Sequence, residues 1–335
     1  MVLAMKGFWK KLKEEKGASP ILVLAPMADV TDASFRRIIA KYGKPDVIWT
    51  EFVSADGLML ADEEGKKKLM KDLIFTDSER PIVAQFFTAR PEMMKRAAEL
   101  ARELGFDGID INMGCPDRSI ERQGAGAAMM KNPKLAREVL RAAKEGAGDL
   151  PVSVKTRIGF NKNELETWLP ELLAEEPALI TVHARTRKEM SKVPARWEEV
   201  KRAVEIRNKI QGVDRGEKIR TLIFGNGDAV DIADAEKKAL ESGADGVMLG
   251  RAIFGNPWLF APNKRPDKIA DRLRVMVEHT RLFEELLGDT KNFALMKKHY
   301  KAYVNGWDGA KDLRVRLMEA ENVEQISSIV EEYIK

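Results

Sequence analysis

Short apolar runs rich in β-branched residues recur along the chain, with longer charged stretches between them. They extend from Ile21 to Met27, Val47 to Phe52, Pro81 to Phe87, Gly108 to Met113, Pro151 to Thr156, Leu179 to His183, Thr221 to Phe224 and Gly246 to Leu249. Each is too short for a buried helix and predicts a parallel strand covered on both faces. The intervening stretches are amphipathic. From Pro91 to Leu104 a proline suited to a first helical turn opens a segment that stops at Gly105, with Met94, Ala97, Ala98, Ala101 and Leu104 spaced to form one apolar stripe. Asp231 to Glu241 predicts a second helix ending near Gly243. Strand and helix alternate eight times, which predicts an α/β fold of the (β/α)8 barrel type rather than an open doubly wound sheet.

After Pro257-Trp-Leu-Phe260 the pattern changes, and no strand-like run occurs from Pro262 to Lys335. Asp271 to Leu287 carries Leu273, Met276, Val277, Thr280 and Phe283 on one side and closes at Gly288, while Asn322 is placed to cap a last helix. The expected organisation is an N-terminal extension over 1–19, a barrel over 20–261 and a helical domain over 262–335. Between Lys291 and Arg316 there are seven Lys or Arg against two Asp, with His299 among them. This window reads as a face for phosphates or as an ordinary solvated helix surface.

Hydrophobic residues at 44% and charged residues at 33% describe a globular protein and exclude a disordered or fibrous one. The net charge of +4 tilts only weakly toward anionic partners. Met1 to Lys16 lacks the apolar core of a signal peptide, and no apolar run approaches the ~20 residues that span a bilayer. A soluble, cytoplasmic monomer that binds neither membrane nor metal is expected. Cys115 is the single cysteine, so no intramolecular disulfide can form.

In such a barrel the carboxyl ends of the strands carry the chemistry. Here they offer Met27 after Ala25-Pro26, then Glu51, Gln85, Asn112 with Cys115, Lys155, His183, Asn226-Gly227-Asp228 and Gly250-Arg251. Polar groups at nearly every rim position point to a built site. The glycines after the seventh and eighth runs let backbone N–H groups approach a phosphate. Lys155, on Val-Ser-Val-Lys, needs an anionic partner if buried, and the N1–C2=O edge of a reduced flavin would serve. His183 could donate to that flavin or its phosphate, or be structural. Cys115 lies between glycine and proline in Asn112-Met-Gly-Cys-Pro116, a loop shaped to present the thiol, although an isolated free cysteine is most often a small buried hydrophobe.

Leu24-Ala-Pro-Met27, Gln85, Asn112-Met-Gly-Cys-Pro116, Lys155-Thr-Arg157, His183-Ala-Arg-Thr186, Gly225-Asn-Gly-Asp228 and Gly250-Arg251 with Asn256-Pro-Trp258 together resemble the tRNA-dihydrouridine synthases. The helical tail, with Lys298-His-Tyr300, is similar to that family's tRNA-binding domain. The resemblance implies that Pro26, Met27, Ala28, Gln85, Lys155, His183, Asn226, Gly227, Asp228, Gly250 and Arg251 hold FMN. It implies Cys115 as proton donor and Asn112 as a hydrogen-bond partner of uracil. Arg185 at the rim, with Lys298 and His299 in the basic window, are the candidate contacts to the RNA backbone. NADPH or NADH as electron donor follows from the resemblance alone. The segment Lys188 to Arg196 departs from the family in lacking a tyrosine-glycine element.

The implied chemistry needs a hydride at uracil C6 and a proton at C5. Reduced flavin N5 would supply the first and a neutral thiol, with an ordinary pKa of ~8.5, the second. The base must leave its RNA stack to reach the flavin. A barrel enzyme resembling dihydroorotate dehydrogenases, or an RNA-binding barrel without catalysis, are the competing readings. Cys115 and Lys155 speak against the latter.

Overall fold

The computed structural model describes residues 7–335. Eight strands form one parallel sheet: β1 (Ile21–Leu24), β2 (Ile48–Ser54), β3 (Ile82–Phe87), β4 (Gly108–Met113), β5 (Val152–Arg157), β6 (Leu179–His183), β7 (Leu222–Asn226) and β8 (Gly246–Leu249). Each strand pairs with its sequence neighbour, and β1 pairs with β8. The seam between β1 and β2 is bridged at Val23 and Val47, with Asp46 N–H donating to Leu22 O at 2.9 Å. The sheet thus curls into the expected barrel.

The fourth, sixth and eighth runs match their strands to the residue. The first ends at Leu24 because Pro26 has no N–H and Met27 N–H turns to Thr31 Oγ1 at 2.9 Å. Both β5 and β7 run past their apolar residues, into Arg157 and Asn226, because the ladder pairs Arg157 with His183 and His183 with Asn226. Polar rim residues are therefore held on strands rather than on loops.

The described residues contain fourteen α-helices. They are α1 (Phe8–Lys16), α2 (Ala33–Tyr42), α3 (Ala55–Leu60), α4 (Glu63–Lys71), α5 (Pro91–Glu103), α6 (Arg118–Arg122), α7 (Pro133–Ala147), α8 (Leu165–Leu173), α9 (Trp197–Gln211), α10 (Ile232–Ser242), α11 (Ile269–Leu287), α12 (Lys297–Tyr303), α13 (Ala310–Glu319) and α14 (Val323–Ile334). On α5 the stripe is buried through Ala101, while Leu104 lies past the helix end and is half-buried. Pro91 occupies the first turn, where its missing N–H is not required.

Residues 7–19, expected as an extension, instead close the amino-terminal end of the barrel. Trp9 of α1 is buried among Ile21, Trp49, Leu179, Leu222 and Phe224, its ring 5.6 Å from that of Phe224 in an edge-on arrangement. Lys13 pairs with Asp245 at 3.5 Å and Lys16 with Asp46 at 2.7 Å, fixing the helix to the chain just before β8 and β2. Residues 1–6 lie outside the described residues.

The last four helices, α11 to α14, share a core that includes Leu273, Met276, Phe283, Tyr300, Leu317 and Ile326. The whole predicted stripe on α11 is buried, and Asn322 Oδ1 accepts from Gln325 N–H at 2.9 Å as the cap of α14. This bundle docks on α2, where Tyr42 Oη donates to Glu278 at 2.5 Å and Lys41 pairs with the same carboxylate at 2.7 Å. His299 belongs to that seam: it is 1% exposed, 4.9 Å from Phe35 and 4.7 Å from His279 between ring centres. The expectation that His299 contacts substrate is corrected by this burial. Lys298 beside it is half-exposed. Among the described residues no helix is long and apolar enough to cross a membrane, and no group of three or more His, Cys, Asp or Glu could hold a metal.

Trp9 fills the floor of the barrel, so Trp9→Ala is expected to lower stability by about 3–5 kcal/mol, as truncation of a buried indole does. Urea unfolding of the two proteins checks this. A loss below about 1 kcal/mol would show that α1 contributes no core.

Candidate active site

A cavity of about 610 Å³ opens at the carboxyl ends of the strands. Its wall contains Pro26 and Met27 after β1, Lys155 on β5, His183 and Arg185 at β6, Asn226 to Asp228 at β7, and Gly250-Arg251 after β8. The residues expected from the sequence around a phosphate and a flavin thus meet in one place, except Ala28 and Gln85, and Asn112, expected at the uracil, is off the wall as well. Ala28 is exposed and off the wall, and Gln85 and Asn112 lie buried beneath the rim, in the barrel interior.

The cavity is cationic. Lys155 Nζ donates to Asn226 Oδ1 at 3.2 Å, and no carboxylate oxygen lies within ion-pair distance of it among the described residues. Asn226 spends its Nδ2 on Met248 O at 2.7 Å, which aims its carbonyl at the ammonium. Burial pushes the Lys155 pKa down to about 8, the nearby Arg157 adds to the fall, and Asp110 opposes it. His183 is held well below its ordinary value, first by burial and then by Lys155, Arg157, Arg185 and Arg251. It is therefore neutral at pH 7, able to accept at Nε2 from Arg185 Nη1 at 3.3 Å.

Asp228 organises the other two cations. One oxygen accepts from Arg185 at 2.5 Å and from Ala195 N–H at 2.8 Å, and the other from Arg251 at 2.8 Å. Burial raises the Asp228 pKa, but these bonds outweigh it and keep the group ionised. Arg185, expected as a rim contact to an RNA backbone, is 3% exposed and also donates to Val193 O, so it belongs to the cavity wall rather than to the rim. Gly227 has φ +127°, and a Cβ there would lie 2.8 Å from Ala195 Cβ and 3.3 Å from the His183 ring. Only glycine keeps this edge open. Three cations against one carboxylate, beside a glycine-lined edge, suit a phosphorylated anion with further negative charge near Lys155.

The cysteine loop is built on a second, buried network. Ser153 Oγ donates to Asp110 Oδ1 at 2.6 Å, Gln85 Nε2 to Asp110 Oδ2 at 2.5 Å, and Asn112 Nδ2 to Gln85 Oε1 at 3.1 Å. Asn112 Oδ1 then accepts from Gly114 N–H at 3.1 Å and Cys115 N–H at 2.9 Å. A carboxylate only accepts, so Asp110 orients both amides in turn. Burial raises the Asp110 pKa to about 6, against Ser153, Gln85 and Lys155. Asn112 thus has its oxygen and one N–H committed to the protein, leaving a single N–H for any base.

Arg157, quoted in the sequence motif without a role, is the clamp that sequence reasoning missed. Its Nε donates to Gly114 O at 2.7 Å, and Nη1 to Thr186 O at 3.3 Å and Met190 O at 3.2 Å. Lys155 and Arg157 stand two apart on β5, and that alternation was the available signal. Cys115 is half-buried against Phe87, Ile120 and Ala125 and does not line the cavity itself. It lies near enough for Lys155 and Arg157 to bias its ionisation. Burial raises its pKa further than those cations lower it, so the thiol is neutral at pH 7.

The basic window of the helical domain divides in two. Lys291 Nζ is bound to Glu51 Oε2 at 2.6 Å and to Asp72 Oδ1 at 2.8 Å, with its side chain 15% exposed. It faces carboxylates rather than a phosphate. Lys301, Lys311 and Arg316 are at the surface.

Comparison with known proteins gives a consistent picture. The family model described as Dihydrouridine synthase (Dus) matches residues 23–335. The chain is 35% identical over 330 residues to a probable tRNA-dihydrouridine synthase 2 of Bacillus subtilis (strain 168), covering 98% of this chain and 97% of that protein. It is 34% identical over 330 residues to a probable tRNA-dihydrouridine synthase of Staphylococcus aureus (strain MRSA252), covering 98% and 96%. Among solved structures, a 2-naphthoyl-CoA reductase complex aligns with TM-score 0.54 at 12% identity over 72% of this chain and 49% of that one. Morphinone reductase aligns with TM-score 0.51 at 13% identity over 76% and 88%. At such identities the structural likeness speaks for the barrel fold.

Lys155 keeps its proton below a pH of about 8, and a bound anion favours that form. Affinity for FMN is expected to hold at lower pH and to weaken as pH rises through about 8, because neutral Lys155 no longer attracts it. Lys155→Met should bind more weakly throughout and lack this step. Fluorescence titrations of both proteins across the range decide it, and identical pH dependence would remove Lys155 from the anion's surroundings.

Proposed function

The chain belongs to the dihydrouridine synthase family, and from this membership we propose that it reduces the C5=C6 bond of specific uridines in tRNA to dihydrouridine, with FMN as cofactor and NADPH or NADH as electron source. The observation that carries this reading is a neutral thiol, fixed in a built loop beside a cationic cavity.

When bound and reduced, FMN would supply hydride chemistry at C6 of the base. The protein must do the rest. Lys155 would balance the negative charge of the reduced flavin, and neutral His183 would offer a polar contact without adding charge. Arg185 and Arg251, held by Asp228, would hold its phosphate together with Gly227 and Gly250. Asn112 retains one N–H for the uracil edge. Cys115 gives its proton to C5; burial suits it to this because a thiolate could not act as the acid. Half-buried Cys115 is reached by a base that has left its stack. Exposed cations of the helical domain, with Lys298, contact the tRNA backbone and offset the cost of unstacking.

Two outcomes test this. Cys115→Ala is expected to retain FMN and tRNA binding while dihydrouridine formation falls by about 10²–10⁴-fold, the usual contribution of a general acid. Mass spectrometry of the treated tRNA measures it, and full activity would assign the proton elsewhere. The affinity for tRNA should fall steeply between ~50 and ~200 mM salt. A salt-insensitive affinity would take the lysines of the helical domain out of the interface.

A further inference from the structure

Glu51, in the middle of β2, is almost wholly buried yet carries two separate attachments. Its Oε1 accepts the backbone N–H of Asp29 in a close contact, and its Oε2 accepts from Lys291 Nζ at 2.6 Å. Asp29 sits at φ +55°, in the left-handed region that a non-glycine residue occupies only when held there. It forms the apex of a turn in which Val30 and Thr31 N–H both donate to Met27 O, at 3.1 and 3.0 Å. Met27 lines the cavity. One chain of contacts therefore runs from the helical domain, through Lys291, Glu51 and Asp29, to the cavity wall.

Lys291 is suited to this position and to little else. Its amide donates to Leu287 O at 2.7 Å at the end of α11, and its ammonium reaches into a site of low exposure between Glu51 and Asp72. The same segment is fastened to α4 independently, by Lys71 on Asp289 at 3.1 Å and on Leu286 O at 3.0 Å. Docking of the helical domain thus has supports other than Lys291, so its loss tests the link and not merely the docking.

We propose that Lys291 and Glu51 are positioning residues, a cross-domain ion pair through which the seated helical domain fixes the Met27 side of the flavin cavity. This rests on the reading of that cavity as the FMN site. The charged groups facing Glu51 are Asp32 at the start of α2, Asp72 from the end of α4, and Lys291 from beyond α11, while Asp29 meets it through its backbone N–H. Lys291 is the one cation among them, so without it a buried carboxylate faces other carboxylates and is relieved only by taking a proton.

The test uses the full chain and FMN titrated by fluorescence at about pH 6 and about pH 8.5, with circular dichroism to confirm folding. Lys291→Met is expected to weaken FMN binding by about tenfold or more at the higher pH and by much less at the lower, where Glu51 is protonated. Glu51→Gln, which preserves shape without charge, should weaken binding about threefold or more at the higher pH and much less at the lower, where Glu51 is itself mostly neutral. The double variant should match Glu51→Gln, because Lys291 acts through that carboxylate. Wild-type affinity in Lys291→Met at both pH values, or strictly additive losses in the double variant, overturns the proposal while leaving the FMN reading intact. If Lys291→Met does not fold, unchanged affinity in Glu51→Gln overturns it equally. A wild-type chain that takes up no FMN overturns the functional reading, and this proposal with it.

Discussion

An ammonium buried at the mouth of a barrel without a carboxylate against it is the constraint around which this site is arranged. Lys155 is held by an amide oxygen alone, and its charge persists near neutral pH only narrowly. That scarcity of negative charge is what makes the cavity receptive to an anion. It also dictates the neighbours: His183 stays neutral because it is buried and because three guanidinium groups and an ammonium lie near it, and Asp228 is drawn toward two arginines instead of toward Lys155. A carboxylate in place of Asn226 would quench the site by satisfying the lysine from within.

Beneath this cationic layer lies a second one organised by the opposite charge. Asp110 sits deeper in the barrel and orients Gln85, which orients Asn112, which gathers the two N–H groups leading into Cys115. Arg157 pulls on the carbonyl of the same loop from the other side. The thiol's loop is held by these two polar supports as well as by the apolar contacts around it. One layer attracts a charged ligand and the other aims a neutral acid, and the strands that carry both are adjacent in the sheet.

Much of this was legible in the chain because a barrel ties chemistry to register. A residue at the carboxyl end of an apolar run has one place to go, so Lys155, His183 and Asn226 could be brought together before any coordinates existed. Charge patterning was a poorer guide where side chains chose between solvent and partners. Lys291 looked like its basic neighbours but meets Glu51 and Asp72, which lie more than 200 residues away in the chain. His299 read as a polar surface group and fills an aromatic seam, while Arg185 read as a rim cation and is locked inward. Each miss is a tertiary pairing between distant segments that no local pattern encodes. The role of the first helix escaped notice for the same reason, since its lysines concealed the single tryptophan that matters.

That tryptophan has a consequence for how the molecule comes into being. The socket of Trp9 includes Leu222, Phe224 and Met248, which leave the ribosome long after α1 has emerged. At about 5–20 residues per second the roughly 200 intervening residues take ~10–40 s to synthesise. During that interval the first helix has no finished home. The segment made earliest is thus among the last to be seated.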